Sequence, residues 1–417
     1  MPPVQPVKSV KAQIGTLILA TSCVQLSIGF FGTFFALRVA LADFSAIVSG
    51  LVLSSYFAGF TLGAYFCKDI IERFGHIRVY AAFAGMVIAA TSAMTLTDQP
   101  PSWMALRAII GFGCAGIFVT TESWLNAKAS AEERGSVFSI YMVGCFTALA
   151  LGQLLIGWVV IEAAGPFNLV IVLCAFALVL VSMTRAEAPQ IIRTEFLPFG
   201  QLTREAPVAV AGALLSGLIT GTFYSLVPAW MQDENIPQQS IGYFMLAAVL
   251  GGLAFQVPVG RMSDRFDRRI VIAVLAVSLT VAAIVILRLP QVLLAILPVA
   301  ALFGGLMSTI YPVSVAHAHD RMPADSVVAV SGRLILASGL GSVLGPLIGT
   351  SLIEAYSING VFYMMAGAAL LLAAITVGRV LIVAPPERQE RTFDILAPQA
   401  APLAHDAAAP ETAETPA

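Results

Sequence analysis

Apolar runs of spanning length recur along the whole chain, separated by short polar stretches. A helix needs about 20 predominantly apolar residues to cross a bilayer. On that basis the pattern predicts twelve spanning helices, over roughly 13–37, 45–67, 79–97, 103–125, 136–160, 167–184, 207–231, 240–259, 270–288, 291–316, 327–353 and 359–383. A polar interval, 185–206, splits them into two sets of six, one over 13–184 and one over 207–383. A short terminus, 1–12, precedes them, and a tail rich in Ala, Pro, Glu and Gln follows over 384–417. That tail has too few large apolar residues to bury a core and is expected to be disordered.

Composition agrees with the pattern. The chain is 58% hydrophobic and 11% charged, with a mean hydropathy of +0.89, whereas soluble domains are about 25% charged. The fold class expected is therefore all-α and membrane-embedded. A net charge of −2 argues against a nucleic-acid partner, which calls for clustered basic residues in excess. Cys23, Cys67, Cys114, Cys145 and Cys174 lie in or beside apolar runs without a CxxC pair. They read as packing residues, so neither a metal nor another cofactor is expected. The first apolar run is too long for a cleavable signal and reads as a spanning helix.

The densest charge cluster falls at residues 258–269, between two of these runs, and includes Arg261, Asp264, Arg265, Asp267, Arg268 and Arg269. Charges at mid-bilayer cost at least roughly 2.5–3.5 kcal/mol each, so this stretch is expected to form a short wet hinge. A weaker copy, Glu72-Arg73-Phe74-Gly75-His76-Ile77-Arg78, lies 192 residues earlier, counting from 72 to 264. An offset of half the chain predicts two repeats with the same membrane direction, hence pseudo-symmetric bundles. Gly260-x-x-x-Asp264-Arg265-Phe266-x-Arg268-Arg269 resembles the loop motif of the major facilitator superfamily, and the resemblance extends over roughly 13–383. It implies two six-helix bundles and transport by alternating access.

Apart from Arg107 and Arg333, which lie well inside predicted helices, only Arg38 and Arg288 lie at the side opposite the two charged loops; every other Lys and Arg is at or beyond the loop-side ends. The positive-inside rule then makes both termini and the central interval cytoplasmic, in a bacterial inner membrane.

The resemblance also assigns roles. It implies that Asp264 latches the bundles at a helix N-terminus, where a carboxylate is favoured, with Gly260 permitting close approach and Arg265, Arg268 and Arg269 as basic partners. The first copy departs from the pattern, with Lys68 where glycine is expected, Glu72 for aspartate and His76 for a basic residue. Glu122 at the end of the fourth helix could pair with Arg73 or Arg78, or serve as a proton site. Arg107-x-x-x-Gly111 is similar to the family's fourth-helix motif implicated in proton coupling, although a snorkelling arginine is equally consistent with the residue alone. Arg333 could snorkel or bind an anion.

His317, His319 and Asp320 suggest a second gate cluster sensitive to pH rather than a metal site, because histidines two apart face different sides of a helix. Gly152, and Gly341 with Gly345 and Pro346, form small-residue seams that permit close helix packing. Gly345-Pro346 resembles an antiporter motif of the fifth helix, but here it lies in the eleventh, and the fifth carries Gln153 instead. Gln25, Tyr56, Gln153, Tyr224 and Gln256 are candidate cavity residues; each could equally be a satisfied inter-helix bond. Phe30, Phe31, Phe34 and Phe35 could face an aromatic or amphipathic ligand, or lipid.

The reading is a monomeric, non-enzymatic secondary transporter of a small organic solute, driven by protons, with a lean to efflux. Uptake of a sugar or organic acid, and a receptor or assembly factor that kept the fold, stay open. No Walker loop is present to use ATP directly.

Overall fold

The computed structural model describes residues 7–130, 132–184, 198–290, 292–323 and 326–382. The first bundle contains α1 (Val7–Ala40), α2 (Ala46–Phe74), α3 (His76–Met94), α4 (Pro100–Lys128), α5 (Arg134–Leu154, extended by a 3-10 turn over Leu155–Trp158) and α6 (Gly165–Ser182). A short helix, α7 (Phe199–Glu205), leads into the second, formed by α8 (Pro207–Asp233), α9 (Gln238–Arg265), α10 (Arg268–Arg288), α11 (Leu293–His319), α12 (Val327–Ala355) and α13 (Gly360–Ile382). Apart from α7, all are long and apolar enough to span a membrane, twelve helices among the described residues.

The helix count matches the hydropathy pattern, but several ends do not. The expected hinge over 258–269 is corrected: α9 runs through Pro258 to Arg265, and only Phe266 and Asp267 precede α10. Nor is it wet throughout, since Arg268 and Arg269 are 7% and 1% exposed. Hydropathy marks where apolar surface stops, whereas a helix satisfies its own backbone and can continue through charged residues. Here the charges are paired with carboxylates instead of water.

Two boundaries shift for the same reason. The first helix begins at Val7, inside the expected terminus. Within the expected central loop, Phe199–Glu205 is helical, and Leu202 anchors it among Ala206, Ala209 and Leu334. The rest of that loop, 185–197, and the tail from 383 onward lie outside the described residues.

The two bundles repeat one contact scheme. Helices α2 and α4 pair as do α9 and α11, α1 and α5 as do α8 and α12, and α3 and α6 as do α10 and α13. The seams repeat in register as well. A side chain on Gly59 would run into the Ala108 carbonyl, and one on Gly251, 192 residues later, into that of Ala301. Gly111 abuts the Tyr56 carbonyl and Gly304 that of Ala248. Gly152 packs on α1 at Leu26, while Gly341 and Gly345 pack on α8 at Leu214 and Leu218. Such contacts replace hydrophobic drive, which lipid weakens, with backbone packing.

Candidate functional site

The bundles meet where α2 crosses α12, α5 crosses α9 and α1 runs beside α8. Between them lies a cavity of about 40 Å³, lined by Phe31, Thr33, Tyr56, Arg107 and Gln153 from the first bundle and Tyr224 and Ser225 from the second. Among the described residues no acidic one lines it. At about 10–15 Å³ of such volume per water, the space suits about three or four water-sized groups.

Arg107 dominates this cavity. Helix α4 starts at Pro100, so Arg107 sits two turns in and deeper than the sequence suggested. It does not snorkel: the residue is 5% exposed. Its guanidinium carbon lies 4.5 Å from the centre of the Phe35 ring, 4.8 Å from Tyr56 and 5.2 Å from Phe31. Each ring contributes about 0.5–2 kcal/mol, while burying an ion costs several kcal/mol. Its Nε has no hydrogen-bond partner, and no ion pair to Arg107 occurs among the described residues.

The cage follows from local packing. Phe31 and Phe35 are four residues apart on α1 and therefore share a face, with ring centres 5.7 Å apart. Trp103, on the first turn of α4, supports Phe35 from behind at 5.3 Å. Gly111, one turn beyond Arg107, lets α2 approach closely at Tyr56. Phe30 and Phe34 are also buried, so none of the four phenylalanines faces lipid.

Three of the five glutamines and tyrosines expected at the cavity reach it. Gln153 accepts from the Thr33 hydroxyl at 2.6 Å and donates to the Gly29 carbonyl at 2.8 Å. The Tyr56 hydroxyl has no partner beyond the weakly hydrogen-bonding Cys114 thiol. Tyr224 lines the second-bundle wall. Gln25 and Gln256 do not line the cavity, which corrects the expectation. Both sit further toward the charged-loop face, where Gln256 makes only a 3.5 Å contact to the Ser308 carbonyl. Thr33 and Ser225, which sequence reasoning passed over, lie at matching repeat positions, 192 residues apart.

On the face opposite the charged loops, a vestibule of about 430 Å³ opens between α1, α2, α8 and α12, walled by Ala36, Ala40, Phe44 and Leu226. Leu53 lines both vestibule and cavity and separates them. Beside it the bundles are tied by Ser54, which donates to the Val343 carbonyl at 2.6 Å, and by Gln238, which donates to that of Val159 at 2.8 Å.

The loop face carries polar clusters in each bundle. Glu122 is 2% exposed and accepts from the Tyr141 hydroxyl at 3.4 Å; Tyr311 of α11 is within its electrostatic reach. Arg73 and Arg78, expected as its partners, are exposed instead, as is Glu72, and the Arg73 guanidinium lies over the Phe74 ring. In the second bundle Arg268 joins three helices, bonding Asp320 at 2.7 Å and Asp264 at 3.4 Å. Arg269 pairs with Asp267 at 2.7 Å. Burial alone would raise the Asp267 carboxyl, but the hydrogen bonds and charge of Arg269 outweigh it and hold it below its ordinary value.

His317 is buried near these arginines, and His319 bonds Ser331 of α12 at 2.9 Å. Gly260 is buried on α9, whereas Arg265 is exposed at its end. Arg333 is half-buried on α12 and does not line the cavity. Among the described residues no cluster of three or more metal-ligating side chains occurs, and the five cysteines are free.

These features have counterparts elsewhere. The sequence profile described as Major Facilitator Superfamily matches residues 17–251 and 209–404. The chain is 30% identical to an uncharacterized MFS-type transporter, YcaD, of Escherichia fergusonii over 77% of this chain and 84% of the relative. To YcaD of Salmonella arizonae it is 30% identical over 87% and 94%. A variant of the nucleoside transporter NupG superposes with a TM-score of 0.76 at 12% identity, covering 89% of this chain and all of that one. The xylose transporter XylE from E. coli, in a partially occluded inward open conformation, gives 0.66 at 13% identity over 88% and 98%.

Proposed function

The chain belongs to the major facilitator superfamily, and from that membership we propose a proton-coupled secondary transporter that exports a small organic solute from the cytoplasm by alternating access. The observation that carries the reading is the closed cavity on the seam between bundles, lined from both and joined through Leu53 to a vestibule on one face. A site walled by two bodies changes its exposure when they rock about it. In this reading the charged-loop face, with both termini, is cytoplasmic in a bacterial inner membrane, and one chain suffices. Asp264, Arg268 and Asp320 brace the second bundle at that face, and the proton is carried by Glu122, His317, His319 or Asp320. Arg107 balances charge, since a guanidinium does not deprotonate in the physiological range.

The test is internal pH in proteoliposomes during addition of sugars, organic acids, amino acids and cationic drugs. A substrate-dependent pH change in wild type, lost in Glu122→Gln, is the expected result. Its sign separates antiport from symport. Tracer uptake by no member of the panel, from protein that is folded and oriented, retires the transport reading in favour of a receptor on the same scaffold.

A further inference from the structure

We infer that the transported solute is a monocarboxylate with an apolar body, bound with its carboxylate on Arg107 and its body toward Leu53. This rests on the transport reading for its context and on the geometry of one cavity for its content. Arg107 is buried without a counter-ion, its Nε unpartnered, and no acid lines the cavity that it faces. A guanidinium offers five N–H donors in a planar fork that matches a carboxylate. Ring faces hold such a cation but accept none of those bonds.

A second donor waits in the same place. The Tyr56 ring stacks on the guanidinium at 4.8 Å, and its hydroxyl is buried with only the Cys114 thiol for company. With the Ser225 hydroxyl on the far wall, the cavity offers a head group donors from both bundles. Gln153 and Thr33 bond one another and Gly29, which fixes that wall and leaves Gln153 one further N–H.

Size and lining set the rest of the molecule. About 40 Å³ accommodates a carboxylate and little more. Beyond Leu53 the vestibule offers about 430 Å³ between largely apolar walls. A dianion would leave its second charge against Leu53, Phe44 or Leu226 without a buried cation to meet it. A single acid on a hydrocarbon or aromatic body fits both halves, the head in the cage and the body replacing Leu53 as it swings aside.

The experiment compares benzoate and hexanoate with their neutral amides, benzamide and hexanamide, on the purified full chain. Thermal stabilisation and radiolabelled ligand binding are the readouts. The acids are expected to bind and the amides to bind at least about tenfold more weakly, the effect of losing a charged hydrogen-bonded pair. Arg107→Gln should erase the preference; Arg107→Lys, which keeps the charge but not the fork, should retain part of it. Tyr56→Phe keeps the ring and should weaken the acids alone by about tenfold. Should Arg107→Gln fail to fold, the lysine and phenylalanine variants decide. Equal binding of acid and amide, an unchanged preference in both of those variants, or displacement of benzoate by equimolar chloride overturns the inference. Transport of a neutral solute without acid binding overturns it too, yet leaves the transport reading standing. Acid binding without transport leaves the carboxylate site standing and overturns both the transport reading and the statement that the bound acid is transported.

Discussion

Position 107 in the first bundle and position 300 in the second occupy the same place on repeat-equivalent helices, fixed by the seam glycines Gly111 and Gly304. One is a buried arginine and the other a buried alanine. Around them Tyr56 answers to Ala248 and Gln153 to Pro346. At the charged-loop face the asymmetry reverses: His76 answers to Arg268, Gly75 to Asp267 and Ala127 to Asp320. The glycine seams repeat the same contacts, so architecture does not dictate where charge goes. Arg107 puts a buried cation at the centre of the first bundle, where a solute would sit, whereas the second bundle buries its cations, Arg268 and Arg269, at the charged-loop end.

The largest effect expected comes from moving the central charge across. Ala300→Arg places a guanidinium where no cage has been built. It should cost about 4–6 kcal/mol, from roughly 2.5–3.5 for the mid-membrane charge and about 1–3 for overpacking. Size-exclusion profiles and melting temperatures in detergent read this directly. Arg107→Ala, by contrast, should stay folded, because it removes an unpaired charge. A stable Ala300→Arg protein would break the comparison, since the aromatic cage would then not be what accommodates the charge.

Next is the charged-loop end. Arg268→Ala leaves Asp320, 8% exposed at its side chain, without its closest cation, and loss of one partner of a buried pair costs about 3–5 kcal/mol. His76→Ala removes a neutral 3.0 Å bond to Ser123 and should cost only about 1–3 kcal/mol. Equal losses in the two variants would mean that the second-bundle network is no more than a solvated turn.

How far these two regions could be read beforehand differs. Helix number, the half-chain repeat and the seam glycines were legible, because they depend on hydropathy and spacing. Arg107 was conspicuous as a charge in an apolar run, but no spacing rule says which way a side chain turns. The Phe31 and Phe35 pair, four apart, was the available signal for its cage. Glu122 was placed correctly at its helix end and given the wrong neighbours. Arg73 and Arg78 are close in sequence pattern, whereas Tyr141 and Tyr311 approach only through tertiary packing. Gln25 lies less than a turn before Ser27, which lines the cavity, and Gln256 is on α9, none of whose described residues line it.

A smaller effect tests the wall of the cavity. Gln153→Leu leaves the Gly29 carbonyl and Thr33 hydroxyl without the partners seen at 2.8 and 2.6 Å. Stranding buried polar groups costs about 1–3 kcal/mol. Pro346→Ala, at the equivalent place, strands nothing and is expected to shift stability by under about 1 kcal/mol, since it restores an ordinary helical residue. Matching melting temperatures would show that the glutamine is replaceable as freely as the proline, and the central asymmetry would shrink to Arg107 and Tyr56.

The two turns themselves are told apart by pH. Gly75 passes between α2 and α3 with φ of 81°, a conformation that costs a side chain about 1 kcal/mol. Asp267 makes the same passage with φ of −58° and caps α10 through the Arg269 N–H at 2.9 Å. Asp267→Ala removes both this cap and the carboxylate paired with buried Arg269 at 2.7 Å, so at neutral pH it should cost about 3–5 kcal/mol, and its cost should depend on pH where that of Gly75→Ala does not. The Asp267 carboxyl is held below its ordinary value, so its stabilisation is complete above the unfolded value of about 4 and drains away as pH falls through the folded one. Melting temperatures of wild type and Asp267→Ala should thus converge in acid and separate toward pH 7, while Gly75→Ala stays a constant distance below wild type. Parallel curves for Asp267→Ala would mean that the carboxylate acts as a cap alone and that Arg269 is held by other neighbours, among them the Arg379 carbonyl at 3.4 Å.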